Sequence, residues 1–123
     1  MNIINKNQLK NLMNNKEDFA LVNVLDKDYY NQGHIKGSIN ISVHDKDFDK
    51  KILKKLNNKN KKVVVYCANK QCSASPRAAM RMKQLGFKNV TDYEDGMQEW
   101  DGPTCKIEHD KKICSAGWFL FFI

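Results

Sequence analysis

The chain has 123 residues, four cysteines and a formal net charge of +7. That length suits one domain with a single hydrophobic core, and there is no internal repeat or linker. No window approaches the apolar span of a membrane helix, and the opening MNIINKNQLKNLMNNKEDF lacks a signal-peptide core, so the expectation is a cytoplasmic protein with no transmembrane segment.

In chain order, Leu9, Leu12 and Met13 repeat at helical spacing within Asn7 to Asn14, and FALVNVLD from Phe19 to Asp26 reads as a buried strand. A short turn of helix follows around Asp28 to Asn31. The two glycines of GHIKGSINIS bracket a bend that leads into a short strand at Ser38 to Ile41. The lysine-rich stretch from Asp49 to Lys62 carries the excess charge. Lys50/Lys54 and Lys51/Lys55 fall on one side of a helix from Phe48 to Leu56 whose other side is Phe48, Ile52, Leu53 and Leu56. A solvated helix face explains that charge better than nucleic-acid binding. Only Arg77 and Arg81 among 21 basic residues are arginine, whereas base-reading surfaces rely on arginine forks. No specific nucleic acid is expected, which leaves a loose attraction to RNA or an acidic protein as the electrostatic alternative.

Val63-Val64-Val65-Tyr66 is β-branched and apolar, as a buried strand should be, and Lys62 to Tyr66 is predicted as one. After it comes the loop CANKQCSAS. Ser75 is a suitable N-cap and Pro76 a suitable first helical residue; Ala78, Ala79, Met82 and Leu85 then repeat at helical spacing until Gly86. The predicted helix therefore covers Pro76 to Leu85, with Ser75 extended ahead of it. A last strand at Val90 to Tyr93 and a short helix towards Trp100 complete the pattern. Strands alternating with helices predict an α/β fold with a parallel sheet covered on both faces, and ligands in such sheets bind at the carboxyl ends of strands. Cys67 sits at such an end.

A loop that empties into a helix N-terminus offers unpaired N–H groups and a favourable field for an anion, including a thiolate. Lys70 and Arg77 add positive charge, so the pKa of Cys67 is expected to fall below that of a free cysteine. A buried structural cysteine fits the same position, because free cysteine is among the most buried residue types. For Cys67, Cys72, Cys105 and Cys114 together, free or redox-active thiols fit better than two disulfides, since the chain is not a small cysteine-dense secreted one. The spacings, four residues in the first pair and eight in the second, do not match zinc sites, and no metal is expected.

The ordered pieces LVNVLDKDYYNQGHIKGSINI, VVVYC, SPRAAMRMKQLGFKNV and YEDGMQEW resemble the rhodanese-like family of sulfurtransferases. The resemblance covers residues 3 to 103 and divides the chain into a rhodanese-like domain at 1–103 and a C-terminal tail of unknown role at 104–123. It implies a three-layer α/β fold, a small mainly parallel sheet flanked by helices, with Cys67 carrying sulfane sulfur as a persulfide. It further implies an anion-binding loop made by Ala68, Asn69, Lys70, Gln71, Cys72, Ser73, Ala74 and Ser75, with Cys72 as a possible resolving thiol. A small anionic sulfur donor such as thiosulfate and a thiol, protein or cyanide acceptor are the implied partners, with no metal or organic cofactor. The chain departs from the family at Asn23 and Leu25, where an Asp and an Arg are usual, and at Asp95-Gly96 in place of a glycine pair. It also lacks the usual loop arginine: Ala74 or Cys72 stands there, depending on the alignment. A non-catalytic sulfur-relay or binding module is the alternative function. A cysteine-dependent phosphatase or arsenate reductase needs the missing arginine to clamp its oxyanion. His34 is expected to fix a turn, Trp100 and Phe87 to sit in the core, and His44 and His109 carry no signal. The apolar run from Ala116 to Ile123 is expected to fold back on the domain, with docking on a membrane or partner, or poor order, as the alternatives.

Overall fold

The computed structural model describes residues 2–115. In chain order the elements are β1 (Asn2–Ile4), α1 (Lys6–Asn14), β2 (Phe19–Asn23), α2 (Lys27–Gln32), β3 (His34–Ile35), β4 (Ile39–Asn40), α3 (Phe48–Lys55), β5 (Lys62–Tyr66), α4 (Ala74–Gln84), β6 (Val90–Tyr93), α5 (Gly96–Glu99), β7 (Thr104–Glu108) and β8 (Lys111–Cys114). The main sheet has the order β1-β6-β5-β2-β4, and its pairings are parallel. The expected parallel α/β fold is thus the one observed, and it is the three-layer arrangement implied by the resemblance.

Alternation along the strands divides the core into two layers. On β5, Val63 and Val65 point with Cys67 into a cluster completed by Phe48 and Ile52 of α3 and Ala78, Ala79 and Met82 of α4. Val64 and Tyr66 point the other way, against Leu9 and Leu12 of α1, Tyr93 and Trp100. Both faces of the central strand are therefore apolar, which is why VVVY reads as a continuous hydrophobic run. On α3 the lysines face solvent as expected, but Leu53, placed on the apolar side by periodicity, is 39% exposed. Phe48, Ile52 and Leu56 are the residues of this stretch buried against the sheet. Asn5 caps α1 with a reciprocal box: its Oδ1 accepts from the Gln8 N–H at 2.9 Å, and Gln8 Oε1 accepts from the Asn5 N–H at 2.8 Å.

Beyond Pro103, residues 104–114 form a β-hairpin docked on β3, with His34 opposite Cys105 and Ile35 opposite Thr104. His109 and Asp110, at φ of 50° and 63°, make the two-residue turn. Cys105 and Cys114 lie opposite one another and are joined by a disulfide. The expectation of free thiols is corrected for these two cysteines. Antiparallel register brings residues nine apart to a Cα separation of 4.0 Å, a proximity that spacing alone does not reveal. Cys67 and Cys72 are free. The run from Ala116 to Ile123, expected to fold back, lies outside the described residues.

Candidate active site

Cys67 follows directly on β5 and is 1% exposed. The turn between β6 and α5 holds its backbone in place: the Met97 N–H donates to the Cys67 carbonyl at 3.0 Å and the Gln98 N–H to that of Ala68 at 2.9 Å. Gly96 makes this approach possible. It has φ +70°, and a Cβ there would lie 2.6 Å from Ala68 C and Asn69 N. Inside the loop, Asn69 Oδ1 accepts from the Gln71 N–H at 3.0 Å and its carbonyl from the Cys72 N–H at 3.2 Å, so these groups are used in folding the loop.

The helix starts earlier than its sequence suggests. α4 begins at Ala74 with Ser73 at the N-cap, and Ser75, expected to be an extended cap, is inside the helix and buried. Pro76 falls in the first turn, where its missing N–H has no intrahelical acceptor to lose. The Ser75 hydroxyl then points inward, with Oγ 3.4 Å from Cys67 Sγ.

The two thiols act on one another. Burial pushes the Cys67 thiol up to about 11, and its hydrogen bond with the Cys72 side chain adds to that; the hydroxyl and N–H of Ser75 oppose it. The expected depression of the Cys67 pKa is therefore corrected: the helix N-terminus is present, but desolvation outweighs it. Burial also works against ionisation of Cys72. There it is outweighed by the bond from Cys67 and by the backbone N–H groups of Ala68, Ala74 and Ser75, which hold the thiol below its ordinary value. Of the loop residues expected to cradle an anion, Ala68 and Ala74 turn their N–H groups to the Cys72 sulfur, and Ser75 serves both Cys72 and Cys67.

The expected cations are placed differently. Lys70 Nζ lies 3.4 Å from Asp95 Oδ1, and Asp95 Oδ2 also accepts from the Lys6 N–H at 2.9 Å. Asp95, which stands where the family has glycine, thus ties the loop to the start of α1. Arg77 is exposed and lines a hollow of about 270 Å³ with Asp45 and Phe48 on the α3 side. Gln71 and Ser73 are exposed. Asn23, at the family's Asp position, is fully buried; its Oδ1 accepts from the Leu25 N–H at 3.0 Å, and Asn40 Nδ2 donates to the Leu25 carbonyl at 2.7 Å. An amide network therefore occupies this position. His34 is buried, with Nδ1 2.8 Å from the Tyr30 carbonyl and its ring stacked on Tyr30 at 3.6 Å, consistent with a turn-fixing role. Trp100 packs edge-on against Tyr93 and donates to the Pro103 carbonyl at 3.2 Å, and Phe87 is in the core.

The sequence reading gave no role to Asp92. It is 3% exposed, and burial raises its carboxylate above the usual range, an effect the nearby Ser75 hydroxyl works against. Its signal was the alternation of β6: Val90 and Asp92 share a face, so a strand anchored by a buried Val90 turns this carboxylate inward. No group of His, Cys, Asp or Glu side chains able to hold a metal occurs among the described residues. No helix among them is long and apolar enough to cross a membrane.

The Rhodanese-like domain family matches residues 5–102. The "Putative sulfur carrier protein YrkF" of Bacillus subtilis (strain 168) is 27% identical over 95 residues, covering 77% of this chain and 48% of that protein. The chain thus spans about half the length of the curated relative it matches. Among solved structures, the rhodanese-like domain of the Alr3790 protein from Anabaena sp. superposes with a TM-score of 0.76 at 25% identity, covering 87% of this chain and 80% of that one. A rhodanese with anions from E. coli gives a TM-score of 0.61 at 25% identity over 72% of this chain and 98% of its own.

Proposed function

The chain belongs to the rhodanese-like domain family, and we propose that it transfers sulfane sulfur, carried as a persulfide on Cys67. The observation that carries this reading is the placement of Cys67 at the end of the central strand, against the first turn of α4 and pinned by the β6–α5 turn. The Cys67 sulfur attacks the outer sulfur of an anionic donor such as thiosulfate; a new S–S bond forms, the bond to the sulfonate sulfur breaks, and sulfite leaves with the electron pair. In this reading loop N–H groups stabilise the outer, anionic sulfur, and the Ser75 N–H beside Cys67 supports it. An acceptor thiolate then attacks that sulfur and regenerates Cys67. The chemistry calls for no metal or organic cofactor.

A second reading, a relay that takes sulfur from a protein persulfide and hands it on, draws support from Cys72. Its sulfur shares the loop's N–H groups, and Lys70 is already committed to Asp95. The Bacillus subtilis relative is named for sulfur carriage. Both readings require Cys67 to load. Intact mass after incubation with thiosulfate, and separately with a low-molecular-weight persulfide, tests them together. Gain of one sulfur by the wild type and by Cys72→Ser, and none by Cys67→Ser, supports a Cys67 carrier; loading by the persulfide alone favours the relay. A Cys67→Ser protein that still gains sulfur would sink the assignment.

A further inference from the structure

Among the described residues the main sheet ends at β4, which pairs with β2 on one side and with no strand on the other. Ile41 turns its N–H inward, to the Asn23 carbonyl at 3.0 Å. Alternation along the pair then turns the N–H and carbonyl of Asn40 to the open edge. Two hollows, of about 580 and 470 Å³, meet over this edge and share Tyr30, Asn40, Ile41 and Lys51. Together they form one groove between α2, β4 and α3.

The groove has an apolar floor and a basic wall. Ile39 and Tyr30, half-buried, and Ile41, buried, supply the floor. Lys51, Lys54 and Lys55, three and four residues apart, share one face of α3 and form the wall, and Lys27 of α2 closes the far end. Against these four lysines the lining carboxylate is Asp45, and it pairs with Lys51. Lys27, Lys54 and Lys55 make no ion pair among the described residues. Open main-chain groups, an apolar floor and unpaired ammonium groups are together what an extended acidic polypeptide can use. RNA is the poorer fit. Its binders rely on arginine and on free aromatic faces, whereas the Tyr30 ring is stacked on His34 at 3.6 Å and its hydroxyl donates to the Ser38 carbonyl at 2.7 Å.

We propose that the open edge of β4 docks an extended acidic segment of a partner protein, which pairs its main chain with Asn40 and its carboxylates with Lys27, Lys54 and Lys55. Strand register gives the place a purpose. Asn40 is level with Asn23, and Asn23 with Tyr66, so the groove lies two strand spacings, about 10 Å, from the residue that precedes Cys67. A protein held there brings its neighbouring residues beside the cysteine loop, and the partner that fits is the protein that accepts the sulfur. That last identification rests on the reading of Cys67 as the carrier; the docking itself does not.

The test takes the full chain and an acetylated octapeptide of alternating glutamate and valine, with binding followed by backbone amide chemical shifts. Shifts should concentrate in α2, β4 and α3, the Asn40 N–H should gain protection from exchange, and affinity should fall as salt is added. Lys54→Glu/Lys55→Glu should bind about tenfold more weakly. Glutamine at both positions, gentler on the C-terminus of α3, should give a smaller loss. Lys50→Glu/Lys88→Glu makes the same change in net charge at exposed lysines outside the groove and should bind within about twofold of the wild type. A peptide N-methylated at every residue keeps its charge but cannot donate main-chain hydrogen bonds, and it should bind about tenfold more weakly than its parent. The proposal is overturned if no shifts appear, if the two double variants weaken binding alike, if the N-methylated peptide binds as well as its parent, or if a uridine oligonucleotide of equal charge binds the groove more tightly. An Asn40 N–H already protected in the protein alone also overturns it. Protection at every concentration means that a segment of the chain itself covers the edge, and protection at high concentration only means a second copy. Sulfur transfer then tests the partner's identity. Lys54→Glu/Lys55→Glu should load sulfur from thiosulfate like the wild type, yet pass it about tenfold more slowly to a form of the peptide ending in cysteine, and at unchanged speed to 2-mercaptoethanol; equal transfer to both refutes the acceptor. A protein that loads sulfur but binds no peptide sinks this inference alone, and one that binds the peptide but loads none sinks the proposed function instead.

Discussion

Replacing Gly96 by alanine introduces one methyl group at the point where the β6–α5 turn meets the cysteine loop. The new Cβ would lie 2.6 Å from Ala68 C and Asn69 N and 2.7 Å from the Ala68 oxygen, where ordinary contact begins at 3.4 Å. Backbone rather than a flexible side chain is the obstacle, so the loop must retreat by at least about 0.8 Å, the difference between those two distances. Such a shift breaks the bonds from Met97 N–H to Cys67 and from Gln98 N–H to Ala68, at about 1 kcal/mol each. Holding alanine at φ +70° costs about 1–2 kcal/mol more. The expected loss is therefore about 3–4 kcal/mol, or about 10–15 °C in melting temperature for a domain of this size. Gly37→Ala is an internal control, because Gly37 has φ +91° with nothing within 4 Å of the added methyl. It should carry only the conformational cost, about 1–2 kcal/mol. Thermal melts of both variants, with intact mass after a sulfur donor, separate the steric effect from the conformational one. A Gly96→Ala protein that melts with Gly37→Ala and loads sulfur like the wild type would refute the claim that this contact positions Cys67.

The two free cysteines should label in a definite order. Cys72 is held below its ordinary pKa and Cys67 raised to about 11, so iodoacetamide should modify Cys72 first as pH rises, and peptide mapping that finds Cys67 ahead would reverse the assignment. The raised thiol also links pH to stability. The unfolded chain ionises Cys67 from about 9.0 while the folded one keeps the proton to about 11, so Cys67 contributes stability that is present below 9.0 and lost across that window. Cys72, lowered in the fold, opposes this, and Cys67→Ser should remove this alkaline loss in pH-dependent denaturation. Reduction of Cys105–Cys114, nine residues apart, should cost about 2–3 kcal/mol on a chain-entropy account. Hydrogen exchange should then speed up in residues 104–114 while β5 stays protected; uniform exchange across the chain would show that the disulfide does not act locally.

Where local pattern and tertiary environment agree, the sequence alone sufficed. The run Val63 to Tyr66 is apolar on both faces because both faces are covered, and Phe48, Ile52 and Leu56 mark the buried side of a helix by spacing alone. The order of these segments implied a parallel sheet covered on both faces and put Cys67 at the end of a strand; that the strand is the central one follows from the sheet order. The site's chemistry was less legible, because it depends on contacts between segments distant in the chain. Ser75 reads as a cap by its neighbours, but inside the helix its hydroxyl meets the Cys67 sulfur. Lys70 reads as a charge offered to an anion until Asp95 answers it from across the fold. Cys105 and Cys114 read as free thiols until antiparallel register sets them face to face. The pKa of Cys67 shows the distinction most clearly. Sequence reveals the helix N-terminus that favours a thiolate, but how much water is removed from the sulfur depends on the packing of α3, α4 and the β6–α5 turn around it, and here desolvation is the larger effect.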